Sequence, residues 1–174
     1  MPTKEEMQII IADSHMQNSI PNQIIARLVS SSHSMIIGMA SLNSVLMPDI
    51  LRAKLASIMV DGYAIEKFIR KNCEVQDITP SELCKKVNVT RNTWSKICNA
   101  GRTGYKPSKN TLIQFALGLE LTLEESVQLL KLGGYNFSSE DQFDRIVALC
   151  IQYNYNDVDK VNELLLEGTN KTLF

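Results

Sequence analysis

Four times along this chain a Thr or Ser stands three residues ahead of a Glu or Gln at the head of an apolar run: Thr3 with Glu6, Thr79 with Glu82, Thr122 with Glu125, and Ser139 with Gln142. This is the spacing of a capping box, in which the hydroxyl accepts from the N3 amide and the longer side chain reaches back to the N-cap amide. It marks the start of a helix. Behind the boxes the apolar residues recur at helical period, as with Met7, Ile10 and Ile11 over 4–17 and Phe143, Ile146, Val147 and Cys150 near the C-terminus. Strand-type alternation and Asn-Gly or Asp-Gly hairpin pairs are missing, so the chain reads as all-α.

Other punctuation fills in the order of helices. Pro21 suits the first helical position ahead of Ile24, Ile25, Leu28 and Val29, and Pro48 with Asp49 opens a run through Leu51, Leu55, Ile58 and Met59. Beyond Gly62, Ile65, Phe68 and Ile69 face inward while Glu66, Lys67, Arg70 and Lys71 face out. Thr90 caps a helix over 91–100 that Gly101 is expected to end, and Ser108 caps the stripe Leu112, Ile113, Ala116 and Leu119. Gly133 and Gly134 stop the helix begun at Thr122, and a last helix over 157–167 is expected to end at Gly168. A division near Asp61 separates an N-terminal helical region, 1–61, from a domain over 62–174.

Two stretches stand apart by charge. Residues 28–48 are 21 residues without a formal charge, long enough for a membrane span. Six serines, His33, Asn43 and Pro48 argue against insertion, and the segment reads instead as buried between helices or against a second copy. Residues 79–110 carry Lys85, Lys86, Arg91, Lys96, Arg102, Lys106 and Lys109 against Glu82 alone, 7 minus 1, in a chain whose net charge is −1. Residues 1–78 hold 7 bases and 8 acids, and residues 111–174 hold 4 and 10. A basic centre beside an acidic third makes a dipolar molecule that a polyanion would orient.

Cys73, Cys84, Cys98 and Cys150 form no C-x-x-C pair, so no metal site is expected and each reads as a small core residue. The N-terminus lacks the pattern of a secretion leader, which predicts a cytoplasmic protein with reduced thiols. His15 and His33 have no ligand constellation beside them. With no Gly-rich phosphate loop, no metal cluster, and no paired nucleophile and base, the chain reads as non-enzymatic and without a cofactor.

The stretch LCKKVNVTRNTWSKICNAG followed by KPSKNTLIQFALGLELTLEE resembles the helix-turn-helix of the Cro and lambda-repressor-like (Xre) regulators. Cys84 lies inside the first of its two helices, Val87 and Val89 flank the turn, Trp94 and Ile97 form the inward stripe of the second, and Pro107 and Ser108 open the next. With YKPSKNT, LELTLEE and LLKLGGY, the longer run is similar to an elongated Xre-like domain of Gram-positive bacteria, over about 110 residues. The resemblance implies a lambda-repressor-like bundle with an N-terminal helical region and extra C-terminal helices. It also implies a helix seated in the major groove of double-stranded DNA, its N-terminal residues reaching base edges.

On this chain the resemblance places Arg91, Asn92 and Ser95 at bases, and Thr93, Lys96, Lys85, Arg102, Lys106 and Lys109 at the phosphate backbone. Arg suits guanine O6 and N7, and Asn suits adenine N6 and N7. The family's polar residue early in the preceding helix is replaced by Pro80 and Ser81; proline donates nothing, which leaves Ser81 or the helix amides for that phosphate. The loop 102–106 is longer than the compact family turn. One helix-turn-helix reads a half-site, so a homodimer through residues 28–48 is implied. Two alternatives stand beside DNA: a plain solvated basic surface, or a non-enzymatic adaptor that turns the same face to a protein partner in a bacterial defence or toxin–antitoxin setting.

Overall fold

The computed structural model describes residues 2–16 and 61–174, and all regular backbone among them is helical. In chain order the helices are α1 (Lys4–Met16), α2 (Ala64–Val75), α3 (Pro80–Lys86), α4 (Arg91–Cys98), α5 (Ala100–Thr103), α6 (Lys109–Gly118), α7 (Leu123–Leu132), α8 (Gln142–Gln152) and α9 (Val158–Thr169). The all-α expectation holds for the described residues. The helices expected from Pro21 and Pro48, and the uncharged run 28–48, lie outside them.

The core is built around α6. Residues 112–119 are buried without exception, because LIQFALGL has no charged face and such a helix is stable only when surrounded. The α3, α7 and α9 helices pack on α6, and α2 packs on α3, α4 and α7. The most extensive helix pairing among the described residues is α8 with α9, and α1 packs on both. Met7 of α1 is fully buried, which contributes about 1.5–3 kcal/mol. Lys4 reaches Glu163 at 2.7 Å and Glu167 at 3.0 Å, but these exposed pairs orient α1 more than they hold it. The N-terminal helix is thereby seated on the acidic C-terminal third.

Helix starts follow the sequence closely. Thr3, Thr79 and Thr122 accept from the amides of Glu6, Glu82 and Glu125 at 3.2–3.3 Å, and each Glu accepts in return from the Thr amide. Thr90 and Ser108 cap α4 and α6 through the amides of Thr93 and Thr111. Five helix ends share one device: Asp77, Asn88, Glu120, Gly134 and Asn154 adopt left-handed backbone at φ 54°, 59°, 49°, 78° and 56°. The next residue of each, Ile78, Val89, Leu121, Tyr135 or Tyr155, donates its N–H to the carbonyl five residues back. This Schellman closure satisfies orphan carbonyls and tucks an apolar side chain under the helix end.

Three expectations are corrected. Gly101 does not end a helix; it lies inside α5, which stops at Gly104 with φ 69°. A Cβ at Gly101 would sit 2.1 Å from the Tyr63 ring, so glycine is there for close packing rather than for a turn. Ser139 is not the cap of α8: Asp141 is, its Oδ1 accepting from the Phe143 amide at 3.1 Å, while Gln142 donates to the Gly168 carbonyl. Gly168 is within α9, which ends at Thr169 with Asn170 as its left-handed cap, and a Cβ there would meet Ile146 Cδ1 at 2.7 Å.

Candidate nucleic-acid interface

The basic stretch folds as α3, a four-residue connection, α4, the short α5, and a loop that leads into the start of α6. Thr79 and Glu82 close the start of α3 with Pro80 at its first position. Asn88 makes the left-handed turn, and the Val89 amide returns to the Cys84 carbonyl at 2.9 Å. Val87 and Val89 are buried, as their places beside the turn required. The connection is thus anchored at both ends.

On α4 the side chains divide by period. Arg91, Asn92, Ser95 and Lys96 are exposed, at spacings that put them on one strip, while Ile97 on the far side is buried and Trp94 and Cys98, at the Arg91 edge of the strip, are half-buried. Arg91, Ser81 and Lys85 line one shallow cleft of about 180 Å³ between α3 and α4, floored by Cys84, Val89 and Trp94. Trp94 was expected in the core, and it packs edge-on to Phe115 at 6.0 Å while also reaching this cleft. Thr93 is held at the cap, its hydroxyl 2.9 Å from that of Thr90. Lys96 stands 5.8 Å from the centre of the Tyr105 ring, and Arg102 donates to Asn99 Oδ1 at 3.2 Å. Lys106 is exposed beside a second cleft that it shares with Asp61, Ile65 and Tyr105.

One expected phosphate contact is corrected. Lys109 is turned to Asp144, a carboxylate only 2% exposed that also accepts from the Ser138 amide at 2.7 Å, and its ammonium lies 5.9 Å from the Phe137 ring. An ammonium anchored on a buried carboxylate is a core contact, because releasing it would leave the carboxylate buried with one donor fewer. Lys86, counted in the same basic stretch, pairs with Glu120 at 2.9 Å. Lys85, Arg91, Lys96, Arg102 and Lys106 form no ion pair among the described residues. The open basic surface is these five side chains.

Two participants escaped the sequence. Glu82 belongs to the interface as well as to the cap: hydrogen bonds from the Thr79 amide and hydroxyl hold its carboxyl below the usual range, so a negative charge sits at the start of α3. Arg70, on α2 and outside the basic stretch, packs on the flank of α4 with its guanidinium 5.5 Å from the centre of the Trp94 ring. The Thr79–Glu82 spacing marks the cap but not what its charge faces, and no local pattern marks Arg70, whose contact depends on which helices meet.

The cysteines offer no reactive centre here. Burial pushes the Cys84 thiol up to about 11 and the Cys150 thiol up to about 12, and burial also raises Cys98 against the opposing Arg70 charge. They stay protonated near neutrality and are poor nucleophiles. Cys98 departs from the expected core role, being only half-buried. Among the described residues no group of three or more His, Cys, Asp or Glu is arranged to hold a metal ion, and no helix is long and apolar enough to cross a membrane.

No protein-family model matches the chain, and no curated protein or solved structure matches it.

Proposed function

We propose that this chain is a DNA-binding transcriptional regulator that lays the exposed strip of α4 in the major groove of double-stranded DNA. The observation that carries the proposal is the α4 surface itself. Arg91, Asn92 and Ser95, three side chains able to hydrogen-bond base edges, stand exposed on one strip, and Lys85, Lys96, Arg102 and Lys106, four more cations without a carboxylate partner among the described residues, border it. Lys85, Lys96, Arg102 and Lys106 serve the phosphate backbone, Ser81 adds a hydroxyl at the cleft, and Thr93 steadies the helix start. The protein acts as a homodimer through residues 28–48, matching two half-sites.

The test is titration of a labelled duplex over a salt series. Four cationic phosphate contacts predict that log K falls against log salt with a slope of about −3.6 per protomer, at about 0.9 per contact. Lys106→Ala lowers that slope by about 0.9, whereas Asn92→Ala narrows the gap between preferred and scrambled duplex without changing it. Absence of duplex binding at low salt refutes the proposal.

The start of α3 favours a second reading. Helix N-terminal amides are ready phosphate ligands, yet here Glu82 already occupies that end with an ionised carboxylate. A protein-interaction adaptor using the same basic face for an acidic partner accommodates Glu82 more easily than a phosphate does. In that case a co-purifying partner is lost on charge reversal at Lys96 and Arg102, and duplex binding is absent in the same preparation.

A further inference from the structure

We infer that Arg70 is a positioning residue that clasps the Trp94–Cys98 flank of α4 and sets how its exposed strip is presented. The guanidinium meets α4 at two points one turn apart. It stacks over Trp94, 5.5 Å from the ring centre, and its Nη2 donates to Cys98 Sγ at 3.7 Å. Glu66, four residues back on α2, accepts from Arg70 Nε and fixes the guanidinium plane, its own side chain only 16% exposed. Trp94 is wedged in turn against Phe115 of the central helix.

The geometry explains why a cation outside the basic stretch bears on it. Trp94 and Cys98 form the half-buried flank of α4 next to Arg91, with Asn92 and Lys96 further round the helix. A short helix of 8 residues has few contacts to fix its rotation about its own axis, and α4 buries only Ile97 outright. The planar fork of Arg can stack and donate at once, a combination that Lys cannot reproduce. Rotation of α4 by a fraction of a turn would carry Asn92 and Ser95 off base edges and shift Arg91 and Lys96 with them, while the number of cations on the face and the places of Lys85, Arg102 and Lys106 on other elements stay the same.

The functional half of this inference rests on the DNA reading; the structural half does not. The experiment uses the full chain carrying Glu66→Gln and Arg70→Gln together, which removes the clasp at constant net charge, with Arg70→Lys alone as a milder variant. Trp94 is the single tryptophan, so its emission and acrylamide quenching report the clasp without DNA. Duplexes enriched from a randomised pool by the wild type, and scrambled versions of them, serve as probes across a salt series.

Both variants are expected to keep their helical circular dichroism, while Trp94 becomes more readily quenched. The preference for enriched over scrambled duplex falls several-fold and the salt slope stays within about 0.3 of wild type, less than the roughly 0.9 of one phosphate contact. Quenching identical to wild type in a folded double variant overturns the clasp. A slope lower by about 0.9 with preference intact makes Arg70 a phosphate contact and overturns positioning. Wild type that binds no duplex, with quenching altered as expected, sinks the DNA reading and leaves the clasp standing; if the double variant fails to fold, Arg70→Lys decides on the same readouts.

Discussion

Replacing Lys109 by Met separates a core role from a DNA role at one residue. Met preserves most of the aliphatic stem and removes the ammonium, leaving Asp144, 2% exposed, to accept from the Ser138 amide without its cation. Removing one partner of a buried ion pair costs about 3–5 kcal/mol. Lys109 is 25% exposed and the Ser138 bond survives, which argues for the lower end, about 3 kcal/mol. At about 2–4 °C per kcal/mol for a chain of this size, the melting temperature falls by about 6–12 °C. Thermal denaturation followed by circular dichroism at pH 7 measures this. Lys109→Met combined with Asp144→Asn should recover part of the loss, since the buried charge leaves with its partner. A loss under about 0.5 kcal/mol, with the DNA salt slope reduced by about 0.9, would refute the reasoning and return Lys109 to the phosphate backbone.

Glu82→Ala should lower the melting temperature at neutral pH and lose that effect in acid. The folded carboxyl sits below its ordinary 4.5, so its contribution is present above that pH and disappears as pH falls through the folded value. Melting curves of both proteins from pH 7 to pH 3 check the convergence. Gly101→Ala drives a methyl into the Tyr63 ring and should cost about 1–3 kcal/mol, with Tyr63→Ala in the same chain relieving part of it in urea titrations. Asn88→Ala should cost about 1–2 kcal/mol in the same assay because alanine resists the left-handed turn between α3 and α4, whereas Asn88→Gly should be near neutral.

Helix starts were readable because a capping box is a local device: Thr79, Thr122 and Thr3 need only the residue three places on. The shared helix endings were present in the sequence too, as Asp-Ile, Asn-Val, Glu-Leu, Gly-Tyr and Asn-Tyr, but only the Gly-Tyr pair carries a glycine to announce it. Ser139 failed as a cap because Asp141 stands nearer the first turn and offers a better acceptor. Gly101 and Gly168 misled for another reason. Glycine marks a turn or a close approach, and only the neighbours Tyr63 and Ile146 tell which.

By itself the sequence determined the class of fold, the heads of most helices, the inward stripe of α4 and a concentration of positive charge over 79–110, all properties of residues near one another in the chain. Tertiary structure alone decided which of those charges remain open. Lys109 and Lys86 were spent on Asp144 and Glu120, 35 and 34 residues away, while Arg70 was brought from another helix to the back of Trp94. Charge adds along a sequence, but its availability depends on what packs against it, and that is settled only when distant helices meet.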